Sequence, residues 1–214
     1  MTNRYPGYNV LSKRDGMSWN DATRTVIETR LAIVNEPKFF NAGEWRTLCA
    51  LCARILPQPD DRPTIPLAAY IDRNMLANGA SGTRIAPMPY DGEAWRRALV
   101  ALDAEALRAY GAPFAALSEQ NADALLRLMQ SGDLHDPAWG VVPPKLFFAK
   151  RVLVDIPAVY YAHPTAWSEI GFGGPASPRG YVRMAANRRD PWEAAEAKPE
   201  RPSEHILRDN QRVR

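Results

Sequence analysis

The stretch "EWRTLCALCARILPQP" sets the terms for what this chain can become. Trp45, Leu48, Cys49, Cys52, Ile55 and Leu56 recur at i, i+3, i+4, i+7, i+10 and i+11, the spacing of one face of an α-helix and of no strand. Pro57 and Pro59 then end the pattern, since proline lacks the N–H that the next helical bond needs.

The same signals recur along the chain. Ser18 can cap a helix over about residues 19–34, with Asp21 in the capping-box place. Another starts at about Ile65, with Pro66 in its first turn, and buries Ala68, Ile71 and Met75. Asp91 caps a fourth, in which Trp95, Leu99, Leu102 and Ala106 share a face and Gly111 is a natural stop. Ser118 opens a fifth that runs to Gly132. A sixth begins near Pro143 and Pro144 and continues through "KLFFAKRVLVDIPAVYY", with Pro157 expected to kink or restart it. The β-branched run Val152–Val154 allows a strand, but a lone strand would have no partner here. The expected fold is all-α: an irregular bundle of about six helices joined by short Pro-rich connections.

A chain of 214 residues, 46% hydrophobic and 24% charged, can bury one substantial core. Its net charge of +3 comes from basic and acidic residues that alternate along the chain, which argues against nucleic acid as a partner. No apolar run approaches the roughly 18 residues of a membrane span. The first thirty residues lack a signal-peptide pattern and a twin-Arg leader, so by its own sequence the chain is expected in the cytoplasm. The two cysteines, Cys49 and Cys52, are too few for a disulfide framework, a four-thiolate zinc site or a complete iron–sulfur site. They lie mid-helix on the apolar face, without the strand and helix N-terminus of a redox C-x-x-C, and read as small core residues.

Three stretches follow from composition. Residues 1–17 read as an irregular lead-in, 18–184 as the helical domain, and 185–214 as a charged arm broken by Pro191, Pro199 and Pro202. The arm has too little apolar surface for a core. If ordered, it should lie on something, with Trp192, Ile206 and Leu207 as anchors.

Within the helical domain, residues 160–184, "YYAHPTAWSEIGFGGPASPRGYVRM", stand apart. Their glycines and prolines rule out an ordinary helix, and their aromatics are too many for a solvated linker. Tyr160, Tyr161, His163, Trp167, Phe172, Pro175, Arg179, Tyr181 and Arg183, with Trp192 of the arm, form the expected partner interface. Such residue types are enriched at binding hot spots, and proline reduces the entropy lost on docking.

Catalytic readings are weaker. His135 reads as a polar loop residue and His205 as an exposed or contact residue of the arm. His163 could act as a general base oriented by Glu169 or Asp155, with Arg179 near, though a histidine bonded to backbone is the simpler reading. No spacing of His, Cys or Glu forms a metal motif, and "GFGGP" lacks the pattern of a phosphate loop.

The order "KFFNAGEWRTLCALCARILPQ", "PLAAYIDRNM", "AWRRALVALDAEA", "YGAPFAALSEQNADALLRLM" and "FFAKRVLVDIPAVYYAHPTAWSEIGFGGPASPRGY" resembles the gluconate 2-dehydrogenase subunit 3 family over about Phe39 to Arg183. The resemblance implies a small, non-catalytic subunit of a membrane-linked sugar or sugar-acid dehydrogenase. It implies no cofactor in this chain. FAD, and any iron–sulfur cluster, would sit in a large partner of the glucose–methanol–choline oxidoreductase type, with a cytochrome c or quinone as electron acceptor. Many members begin with a twin-Arg signal; this sequence lacks one, so export to the periplasm would depend on a signal borne by the partner. The alternatives are a transient escort for that flavoprotein, or an independent helical enzyme built on His163.

Overall fold

The structure, a computed structural model, describes residues 4–60, 62–77, 84–175, 192–199 and 203–213. Among the described residues there are helices and no strands, so the fold is all-α and an irregular bundle. None of these helices is long and apolar enough to cross a membrane. The chain forms two compact units: residues 34–160, and residues 1–33 together with 161–214.

The 34–160 unit contains α2 (Ala42–Ile55), α3 (Leu67–Leu76), α4 (Asp91–Tyr110), α5 (Glu119–Ser131), α6 (Pro144–Phe147) and most of α7 (Leu153–Ala162); α1 belongs to the other unit. A full capping box starts α2: Asn41 Oδ1 accepts the Glu44 N–H at 3.0 Å, and Glu44 returns a carboxylate to the Asn41 N–H at 2.9 Å. The face that α2 buries, Thr47, Leu48, Leu51 and Cys52, is turned about one residue from the stripe read in the sequence. Here α2 packs against α3, α4, α5 and the 3-10 turn Phe114–Ala116, so its buried face is broad and includes Leu51.

Asp91 is the first helical residue of α4 rather than its cap. Its carboxylate is committed to the Arg151 guanidinium, both side chains being nearly inaccessible to solvent. Gly111 and Gly132 end α4 and α5 in the left-handed region, at φ 69° and 93°, as their positions suggested. Trp95, fully buried, anchors the core with its ring edge-on to Phe147 at 5.0 Å.

The last long helix is interrupted before Pro157, by a π turn over Phe148–Val152 that separates α6 from α7. Val152–Val154 are helical, and Pro157 is carried inside α7.

In the other unit, α1 (Asp21–Leu31) is capped by Asn20, whose Oδ1 accepts the Thr23 N–H at 2.9 Å; Ser18 is buried instead. The lead-in folds into a 3-10 turn, Val10–Lys13, and buries Tyr8, Val10 and Lys13. The described residues of this unit also form two short helices, α8 (Pro164–Glu169) and α9 (Ser203–Gln211). The segment that composition had set aside from helix therefore holds the end of α7 and all of α8. His163 and Pro164 make this possible, one capping the helix and the other fitting its first turn.

Candidate partner interface around Trp167

Trp167 is the organising residue of the unusual segment, and it points inward. It is 4% exposed and shares a core with Tyr8, Val10, Trp19, Ile27 and Val213. Its Nε1–H donates to the Tyr161 carbonyl at 2.6 Å, and its ring meets Phe172 edge-on at 5.5 Å. The Arg30 guanidinium lies 5.8 Å from the ring centroid and donates to the Ala162 carbonyl at 3.0 Å. The chain reverses here on Gly171 (φ +67°) and Gly174 (φ +71°).

Outward from this core stand three large apolar side chains. Tyr161 is 49% exposed, Ile170 46% and Phe172 41%. Two of these residues are held through Trp167: the Tyr161 backbone by the hydrogen bond its carbonyl accepts from the indole, and the Phe172 ring by edge contact. The Phe172 carbonyl also accepts the Tyr8 hydroxyl at 3.3 Å. An apolar surface on a rigid base is what a docking site needs, because little side-chain freedom remains to be lost on binding.

The expected interface residues thus fall into separate groups. Tyr161 and Phe172 are outward, and Pro175 and Trp192 are half-buried. Tyr160, His163 and Trp167 are buried and cannot themselves meet a partner in this conformation. Tyr160 belongs to the 34–160 unit, where its hydroxyl bonds the Arg62 guanidinium. Arg179, Tyr181 and Arg183 lie outside the described residues. Ile170 escaped the sequence reading because a lone aliphatic residue after a short helix carries no periodic signal.

The geometry also bears on the catalytic readings. His163 is buried, and its Nδ1 accepts the Thr165 N–H at 3.2 Å, so it is engaged in capping α8. Asp155, its possible orienter, belongs to the other unit. Its carboxylate accepts the Trp95 indole N–H at 3.0 Å and lies 3.8 Å from Arg151. Burial holds the Asp155 pKa above the usual carboxylate value, and the Trp95 N–H and Arg151 offset only part of that rise. His135 and His205 are exposed. Cys52 is buried and Cys49 partly so, both as free thiols; burial pushes both pKa values up, away from the thiolate that redox chemistry requires. Among the described residues no His, Cys, Asp and Glu side chains gather into a metal-binding set. The "GFGGP" turn leaves no cradle for a phosphate. Gly174 is packed so that a Cβ there would lie 3.3 Å from both Trp19 and Val10, and the Gly173 carbonyl accepts the buried Lys13 ammonium at 3.1 Å.

A family model described as gluconate 2-dehydrogenase subunit 3 matches residues 42–174. The chain belongs to the gluconate 2-dehydrogenase subunit 3 family. The match spans the whole bundle from α2 onward and ends on the Gly171–Gly174 reversal, short of the Arg183 to which the motif resemblance extends. Membership makes this a small subunit of a multi-subunit dehydrogenase, with catalysis implied for another chain. No curated protein and no solved structure matches the sequence. Both the lead-in and the C-terminal arm lie outside the gluconate 2-dehydrogenase subunit 3 match.

Proposed function

We propose that this chain is a non-catalytic subunit that docks on a large FAD-dependent oxidoreductase of the glucose–methanol–choline type, acting on a sugar or sugar acid. The observation that carries the reading is the exposure of three large apolar side chains, Tyr161, Ile170 and Phe172, around the Trp167 core and inside the region that defines a dehydrogenase-subunit family. Flavin, substrate specificity and the onward path to a cytochrome c belong to the partner in this reading. The 34–160 unit has a bare apolar face of its own: α7 leaves Leu153 44% and Val154 50% exposed. Apolar surface of this kind is common at contacts within stable assemblies.

The test is co-expression with the large flavoprotein followed by size exclusion. Co-elution is expected. Phe172→Ala and Tyr161→Ala should each weaken the complex by about tenfold or more while leaving the chain's ellipticity unchanged, because both side chains are half exposed. If the two chains never elute together, the reading fails. A complex that forms during synthesis but lacks this 23.9 kDa chain in the active enzyme would make it a departing escort instead.

A further inference from the structure

The Trp167 core is closed by residues on both sides of the family match. Tyr8, Val10, Trp19 and Ile27 come from before residue 42, and Val213 from after residue 174. The C-terminal side reaches this core with little apolar help: Ala195, Ile206 and Val213 are its buried apolar residues among those described. What holds it is polar, and one side chain does most of the joining. Asn210 is 1% exposed. Its Oδ1 accepts the Ala195 N–H at 2.6 Å, and its Nδ2 donates to the Ala195 carbonyl at 3.0 Å and the Pro6 carbonyl at 2.9 Å. A single amide therefore ties α9 to the extended 194–197 stretch and to the lead-in. Only Asn or Gln presents both an acceptor and two donors, and Gln would be a methylene too long for this buried site.

Secondary fastenings surround it. The Ala197 N–H donates to the Arg4 carbonyl at 2.7 Å, and the Ser12 hydroxyl donates to the Val213 carbonyl at 2.7 Å. Arg4 also pairs with Glu196, but at an exposed site where such a pair contributes little.

We propose that residues 194–199 and 203–213 act as a strap over the Trp167 core, latched by Asn210, and that the closed strap positions the Tyr161–Phe172 surface for its partner. This rests on the docking reading. Trp167 touches both outward residues, through the Tyr161 carbonyl and the Phe172 ring, and Val213 belongs to the same buried cluster as Trp167. Opening the latch would leave the Ala195 N–H and carbonyl without their partner, wet the indole, and let the Gly171–Gly174 reversal shift. Asn210 is thus a positioning residue, acting on the interface through Trp167.

The experiment uses the full chain carrying Asn210→Ala, with three readouts: amide hydrogen exchange, tryptophan emission and titration with the flavoprotein. Exchange at Ala195 and Ala197 should quicken by about ten- to a hundredfold, emission should shift to the red, and affinity should fall by about fivefold or more. Amides of α2 and α4 should keep their protection. Asn210→Asp, which retains only the acceptor, should fall between wild type and Ala. Unchanged exchange at Ala195 overturns the strap, and unchanged affinity with fast exchange overturns its positioning role. If α4 protection is lost as well, Ser12→Ala gives the same reading by a milder route, its Val213 end loosening or not. If the wild-type chain never binds the flavoprotein, the docking reading fails, and exchange and emission alone decide whether the strap exists.

Discussion

The 34–160 unit and the unit made from both ends of the chain are stabilised differently. The first rests on apolar faces that its own helices announce, and its buried charges find partners within the same bundle. Asp72, fully buried, shows this: its carboxylate accepts the N–H groups of Lys38, Phe39 and Phe40 at 2.8–3.1 Å and so fixes the approach to α2. Arg96 completes that corner, its guanidinium 4.1 Å from the Phe39 ring centroid and bonded to the Phe39 carbonyl. The second unit has a small aromatic core held shut by hydrogen bonds between segments some two hundred residues apart, as with Asn210 and Pro6. Periodic sequence builds the first kind of stability, and coincidence of distant residues builds the second.

The largest effect should come from breaking the periodic unit at its centre. Trp95→Ala removes a side chain that is 0% exposed, together with its ring contact and its hydrogen bond to Asp155. A loss of about 4 kcal/mol is expected in urea denaturation followed by circular dichroism. A loss below about 1 kcal/mol would mean the bundle is not the main source of stability.

A smaller effect should follow at Glu105, whose side chain is 1% exposed. Its carboxylate accepts the Asp136 N–H at 2.7 Å and the Trp139 indole N–H at 3.3 Å, and pairs with Arg108. Burial works to raise its pKa, but Arg108 and these donors outweigh burial and hold it below the usual carboxylate value. A depressed folded pKa stabilises the protein above the unfolded value of about 4.3, and that share is lost as pH falls through the folded value. Glu105→Gln should therefore cost about 2 kcal/mol at neutral pH, with the gap to wild type closing in acid. A gap that widens in acid would reverse the assignment.

The smallest change tests the other unit. Gly7 has φ +72°, and a Cβ there would come within 2.6 Å of the Leu207 side chain. Gly7→Ala should cost about 1 kcal/mol, visible as faster exchange at Ala197 and not in α4. Equal loosening of both regions would show that the two units do not respond separately.

The contrast also explains what could be read from the sequence. The helices of the bundle were legible from stripes, caps and stops: Ser118, Gly111 and Gly132 all act locally, as does the Asn41–Glu44 capping box that the reading passed over. The π turn was not, because no local pattern marks it; Arg151 within it pairs with Asp91, sixty residues away. In the docking segment the sequence picked the right stretch but not which residues face inward. Trp167 and Tyr161 are equally plausible hot spots as letters; only the lead-in and Val213, arriving from elsewhere, make one of them core. The arm was expected to lie on something if ordered, and what it lies on is this chain's own beginning.

The π turn at Phe148–Val152 carries a consequence for how such a chain can change length. It holds one residue more than regular α winding needs, so removing one residue within it would let the helix close into regular turns with the downstream faces kept. Ile156, Val159 and Tyr160 would stay inside. The same deletion within α7 has no such slack and would rotate the residues beyond it by about 100°.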